Sequence, residues 1–111
     1  MNIREQRQQD VVILNLDGNL MGGPEAVSLT ETIFNYIDKK EFKVVVDLEN
    51  VERMNSSGLG ILIKALSTFR NNGGELKLAN VSSKIENLLV ITKLNTVFET
   101  FATVDDAVNS F

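Results

Sequence analysis

Apolar residues along the chain fall into two kinds of run, and the two kinds alternate. Residues 11–16 (VVILNL) and 42–48 (FKVVVDL) are short and nearly continuous in aliphatic side chains, the pattern of strands covered on both faces. Between and after them the apolar positions recur every three or four residues: Ala26, Leu29, Ile33 and Ile37, flanked by Val27, Thr30 and Phe34, and then Leu59, Leu62, Leu66 and Phe69 with Ile63 alongside. That spacing predicts two helices. Residues 75–81 (ELKLANV) alternate as a strand does, and Ile85, Leu88, Leu89 and Thr92 share one face of a third helix. A short, more polar strand over 3–7, a last strand within 97–101 and a terminal helix ending near Phe111 complete the order ββαβαβαβα.

Boundary residues agree with this order. Gln9 and Asp10 mark a turn between the first two strands, and Pro24 beside Glu25 suits the first turn of a helix whose far end carries Lys39 and Lys40. The valine-rich strand is predicted to end near Leu48. Asn71, Asn72, Gly73 and Gly74 supply a helix stop and a turn, Ser83 and Glu86 have capping-box spacing, and Thr103 precedes the acidic pair Asp105 and Asp106. Alternating strands and helices predict a single α/β domain over residues 1–111, with a mostly parallel sheet of about five strands and four helices packed on it. In such folds sites gather at the carboxyl ends of the strands, so the connections over 18–24 and 50–58 are expected to share one edge.

Charge and composition narrow the function. A net charge of −4 supplies no basic face for phosphate backbones, which argues against nucleic acid as a partner and for another protein. Cysteine and histidine are both absent, so disulfides, thiol nucleophiles, serine–histidine dyads and the usual zinc ligands are excluded together. No apolar run approaches the ~20 residues that span a bilayer, and the opening residues are polar, which predicts a cytoplasmic protein without membrane insertion. No cofactor is expected.

Three stretches carry candidate chemistry. Ser56 and Ser57, followed by Gly58, stand where a strand hands over to a helix; one serine there fits an N-cap, and a hydroxyl at a helix N-terminus also fits a phosphate acceptor. Neighbouring serines allow both. Gly22 and Gly23 lack the lysine of a phosphate-binding loop, and Gly58 with Gly60 lacks the third glycine of a dinucleotide fingerprint, so both read as loop or helix-start glycines. Asp47, at the end of the valine run, is the best carboxylate for catalysis, but no acidic pair stands near an earlier strand to hold a cation with it, and a structural turn role is expected instead. No nucleophile, base and oxyanion donor can be assembled, so the chain is not expected to be an enzyme.

Gly18 after the early strand, VVVDLENV at 44–51, SSGLGILI at 56–63, Gly73 and Gly74, and LNTVFETFATVDDAV at 94–108 together resemble the bacterial anti-sigma factor antagonists of the STAS domain family over nearly the whole chain. The resemblance implies a binding module whose serine next to the glycine, here Ser57, is phosphorylated by a cognate serine-kinase anti-sigma factor. It implies that the dephosphorylated form binds that factor and frees a sigma factor, and that a serine phosphatase resets the cycle. Met21, Gly22, Gly23, Glu25, Asn55, Ser56, Gly58 and Leu59 are then the expected partner-binding residues, with a homodimer as the other association to consider. The chain departs from the family at Asn55 and Met21, where aspartate is usual or frequent, and at Arg53, where the pattern is commonly apolar. The competing reading is a constitutive STAS subunit of a signalling scaffold or of an ABC transporter ATPase complex, with no phosphorylation switch.

Overall fold

The computed structural model describes residues 2–111, apart from the side chains of Glu25 and Ala26. Nine elements follow the expected order: β1 (Asn2–Gln8), β2 (Val11–Leu20), α1 (Pro24–Asp38), β3 (Lys43–Met54), α2 (Ser56–Asn71), β4 (Glu75–Ala79), α3 (Ser83–Ile91), β5 (Thr100–Phe101) and α4 (Val104–Asn109). The strands form one sheet in the order β1-β2-β3-β4-β5, with β1 antiparallel to β2 and every other pair parallel. A hairpin accounts for the single antiparallel pair: Gln8 faces Val11 across a turn in which Gln9 takes a left-handed φ of 58°.

The unbroken apolar runs are explained by unequal cover on the two faces of the sheet. Val12, Leu14, Leu16, Val44, Val46, Leu48, Leu76 and Leu78 point into the main core, against Leu29 and Ile33 of α1, Leu62, Leu66 and Phe69 of α2, and Ile85 and Leu89 of α3. Alternate residues Val11, Ile13, Val45 and Ala79 meet Ala107 and Val108 of α4 on the opposite face. Both faces are therefore covered in the middle of the sheet, which makes the central strands nearly continuous in apolar residues, with Asn15, Asp47 and Lys77 as buried polar exceptions. On that second face Lys77 is buried; its Nζ donates to the Ser110 carbonyl (3.1 Å) and hydroxyl (2.7 Å), lies 3.3 Å from Glu99, and sits over the Phe111 ring. Tyr36 fixes α1 to the outer hairpin by donating its phenol hydrogen to Glu5 at 2.5 Å; burial and that bond raise its pKa above the ordinary phenol value.

Several boundaries differ from expectation. Strand β3 runs on to Met54 instead of ending near Leu48, pairing with 17–20 of β2 through two register shifts. Past Leu48 the ladder projects beyond the packed layers, so Glu49, Asn50, Glu52 and Arg53 are exposed and the stretch looks like a loop in sequence. The cap of α3 is Ser82 rather than Ser83, and β5 shrinks to two residues because Phe98 turns into the core ahead of it. On α1, Tyr36 takes the buried place while Val27 and Phe34 face outward.

Helix α2 is set against the end of β2 by Gly58. A Cβ built on Gly58 would stand 1.9 Å from the Leu20 carbonyl oxygen, a contact that the rigid backbone of a sheet cannot relieve. Gly58→Ala is expected to lower unfolding free energy by about 3 kcal/mol, read from urea titration, whereas Gly60→Ala, with nothing within 4 Å of the added carbon, should leave stability unchanged or raise it slightly.

Candidate functional site

Loops 21–23 and the start of α2 emerge side by side from the carboxyl ends of β2 and β3, as the crossover rule requires. They touch: a Cβ on Gly22 would lie 3.3 Å from Cβ of Ser57, and Gly22 itself has a φ of 92° that favours glycine. Gly23, with φ 74°, is the N-cap position of α1 and offers no side chain, and Pro24 follows at the first turn. Met21 exposes 43% of its surface at the mouth of this loop.

The cap of α2 is Asn55, and this corrects the expectation that one of the serines would cap. Asn55 Oδ1 accepts from the Gly58 amide at 2.9 Å while its Nδ2 donates to the Met21 carbonyl at 3.2 Å, so one side chain both closes the helix and ties the two loops together. Asparagine and serine are about equally good caps, and asparagine's longer side chain carries a donor as well. Ser56 and Ser57 consequently occupy the first turn of α2, both exposed, and neither hydroxyl is hydrogen-bonded among the described residues. The first turn holds no acidic side chain, so the positive end of the helix dipole is not neutralised locally. Gly60, exposed one turn on, leaves the approach to Ser57 clear of side chain.

Not every expected partner-binding residue can offer a side chain there. Leu59 is 1% exposed and belongs to the core, and Gly58 is buried against Leu20; both position the turn from beneath. Apolar periodicity alone could have assigned Leu59 to the core, since it starts the buried stripe of α2. The Glu25 side chain lies outside the described residues. Asp47 takes its structural role, with Oδ1 accepting from the Glu49 amide (3.0 Å) and from Asn80 Nδ2 (2.9 Å). Among the described residues no cluster of three acidic side chains is placed to hold a metal ion, and no helix is long and apolar enough to cross a membrane.

A family model described as the STAS domain matches residues 2–107. The chain belongs to the STAS domain family. A Thermotoga maritima relative provisionally named as an anti-sigma factor antagonist is 26% identical over 72 residues, which cover 65% of this chain and 64% of the relative. The anti-sigma-B factor antagonist of Staphylococcus aureus is 41% identical over 51 residues, 46% of this chain and 47% of that protein. These alignments thus span less than two thirds of either relative. A crystal structure of a Thermotoga maritima protein, also provisionally named as an anti-sigma factor antagonist, superposes with a TM-score of 0.89 at 25% identity, covering 97% of this STAS domain and 92% of that chain.

Within this STAS domain the two bonds of Asn55 can be separated by substitution. Asn55→Ala removes the cap and should cost about 1 kcal/mol in urea titrations. Asn55→Asp keeps the acceptor for Gly58 and should remain within about 0.5 kcal/mol of the parent, but it loses the donor to Met21, so chemical-shift changes should concentrate in residues 20–23.

Proposed function

We propose that the chain is an anti-sigma factor antagonist, working in the cytoplasm, that binds a serine-kinase anti-sigma factor when Ser57 is unphosphorylated and so releases a sigma factor. Phosphorylation of Ser57 by that kinase ends the binding, and a serine phosphatase restores it. The observation that carries this reading is the exposed Ser57 hydroxyl on the first turn of α2, without a hydrogen-bond partner among the described residues, released from capping by Asn55 and lying against the Gly22 loop. The names of the two relatives support the antagonist part of it.

The switch follows from electrostatics. A phosphate on Ser57 adds about −1.5 to −2 charge where the uncapped amides of the first turn and the helix dipole tolerate it, so the fold survives modification. A partner packed over a neutral hydroxyl would instead have to desolvate a dianion, and leaving it unpaired costs several kcal/mol. Ser57 is preferred over Ser56 because it borders both the Gly22 loop and the open space beside Gly60. The reading as a constitutive STAS subunit draws its support from Asn55, which is committed to two structural bonds and carries no carboxylate to orient a serine for a kinase.

Titration against a serine-kinase anti-sigma factor encoded beside this gene, with phosphate mapping by mass spectrometry, separates the two. Ser57→Asp is expected to lose about a hundredfold or more in affinity, Ser57→Ala to bind without accepting phosphate, and Ser56→Ala to remain phosphorylatable. Phosphate on Ser56, or undiminished binding by protein phosphorylated on Ser57, would transfer the assignment to the constitutive subunit. Met21→Asp should weaken the same complex while leaving Tm nearly unchanged, because the side chain is largely outside the core.

A further inference from the structure

Beside the serine turn lies a groove of about 340 Å³ lined by Met21, Glu52, Arg53, Met54, Lys84 and Ile85. The geometry points to this groove as a specificity-determining contact that takes an acidic segment of the partner protein. Its floor is apolar and adaptable: Ile85 is buried, Met54 half-buried, and the two thioether side chains conform to irregular surfaces. Its rim is cationic. Arg53 and Lys84 are both exposed, and neither forms an ion pair among the described residues. Lys84 sits on the first turn of α3, so the positive end of a helix dipole adds to the two side chains. Against them stand Glu52 in the lining and Glu86 in the same helical turn, which leaves the groove itself with two cations to one acid in a chain of net charge −4.

The groove at the opposite edge of the sheet has more of its charge paired, although Lys40 there forms no ion pair among the described residues. It has a similar volume, about 350 Å³, and is lined by Arg7, Asp10, Lys40, Glu41, Phe42 and Lys43, but Arg7 is paired with Glu41 and Lys43 with Asp10 at 2.7 Å. The carboxyl-edge groove contains no such pairs among the described residues. Both cations stand on ordered backbone: the Arg53 backbone pairs with Asn19 in the sheet, and Lys84 lies in the turn of α3 that Ser82 caps. Met21 belongs to this groove and to the loop that Asn55 ties to the serine turn, so a partner seated over Ser57 reaches Arg53 without bridging a gap. A carboxylate-bearing segment with an apolar side chain fits the floor and the rim together.

This rests on the reading that a protein partner docks over Ser57. The test is binding of the neighbour-encoded serine-kinase anti-sigma factor to the parent, to Arg53→Gln/Lys84→Gln and to Arg53→Glu/Lys84→Glu, at about 50 mM and about 300 mM salt. The neutral variant should lose several-fold and the reversed variant about tenfold or more at low salt, with both losses shrinking at high salt, while Tm and circular dichroism match the parent. Undiminished affinity in the reversed variant, or a loss that salt does not reduce, overturns the groove assignment alone. Failure of the parent to bind overturns the antagonist reading beneath it.

Discussion

The contact between Gly58 and the Leu20 carbonyl sets the geometry of the whole carboxyl edge. A helix can begin this close to the end of a neighbouring strand only if its third residue carries no side chain, because the strand's backbone is already committed to pairing with β3. Once α2 is seated there, its buried stripe from Leu59 to Phe69 faces the sheet and its first two residues are turned outward. Leu59 and Gly58 thus act from below on a surface they do not belong to. The same seating brings Ser57 against Gly22 and lets Asn55 span both loops.

The middle of the sheet was readable because burial on two faces leaves short, nearly continuous apolar runs: residues 11–16 and 44–48 are apolar on both faces except at Asn15 and Asp47. The edges were not, because between Glu49 and Met54 only Val51 is buried in the core, and Glu49, Asn50, Glu52 and Arg53 face water although the backbone remains paired. Caps were legible as regions and ambiguous as residues. Asn55, Ser56 and Ser57 are all good capping types, as are Ser82 and Ser83, and the choice falls to whichever residue reaches the third following amide once tertiary packing has fixed the helix axis. The candidate site was visible where its residues are consecutive. Lys84 and Ile85 join Arg53 only through the parallel order of the sheet and the placement of α3, which no spacing in the chain records.

The two edges of the sheet divide their labour by charge. At the amino edge, Arg7, Glu41, Lys43 and Asp10 neutralise one another, and Tyr36 and Glu5 add a bond that holds α1 to the hairpin. Exposed pairs of this kind contribute little stability, but they satisfy four of the five charges that line the groove there, leaving Lys40 without an ion pair among the described residues. At the carboxyl edge the side chains are small, neutral or unpaired: two serines, three glycines, Met21 and the Arg53–Lys84 rim. Of this surface, the serine turn is closed by the Asn55 cap and tied to the Met21 loop through the same side chain, and a turn already ordered lowers the cost of binding.

Lys77 has a different consequence. Its ammonium group is enclosed by the Ser110 carbonyl and hydroxyl, Glu99 and the Phe111 ring beneath α4. An amine held this way is hydrogen-bonded and shielded from solvent, so acyl donors and other electrophiles cannot reach it. The chain's exposed lysines are within reach of acyl donors in the native state, whereas reaching Lys77 requires α4 and the Ser110–Phe111 end to lift from the sheet. Its chemical reactivity is therefore tied to the opening of a whole helix rather than to the motion of its own side chain.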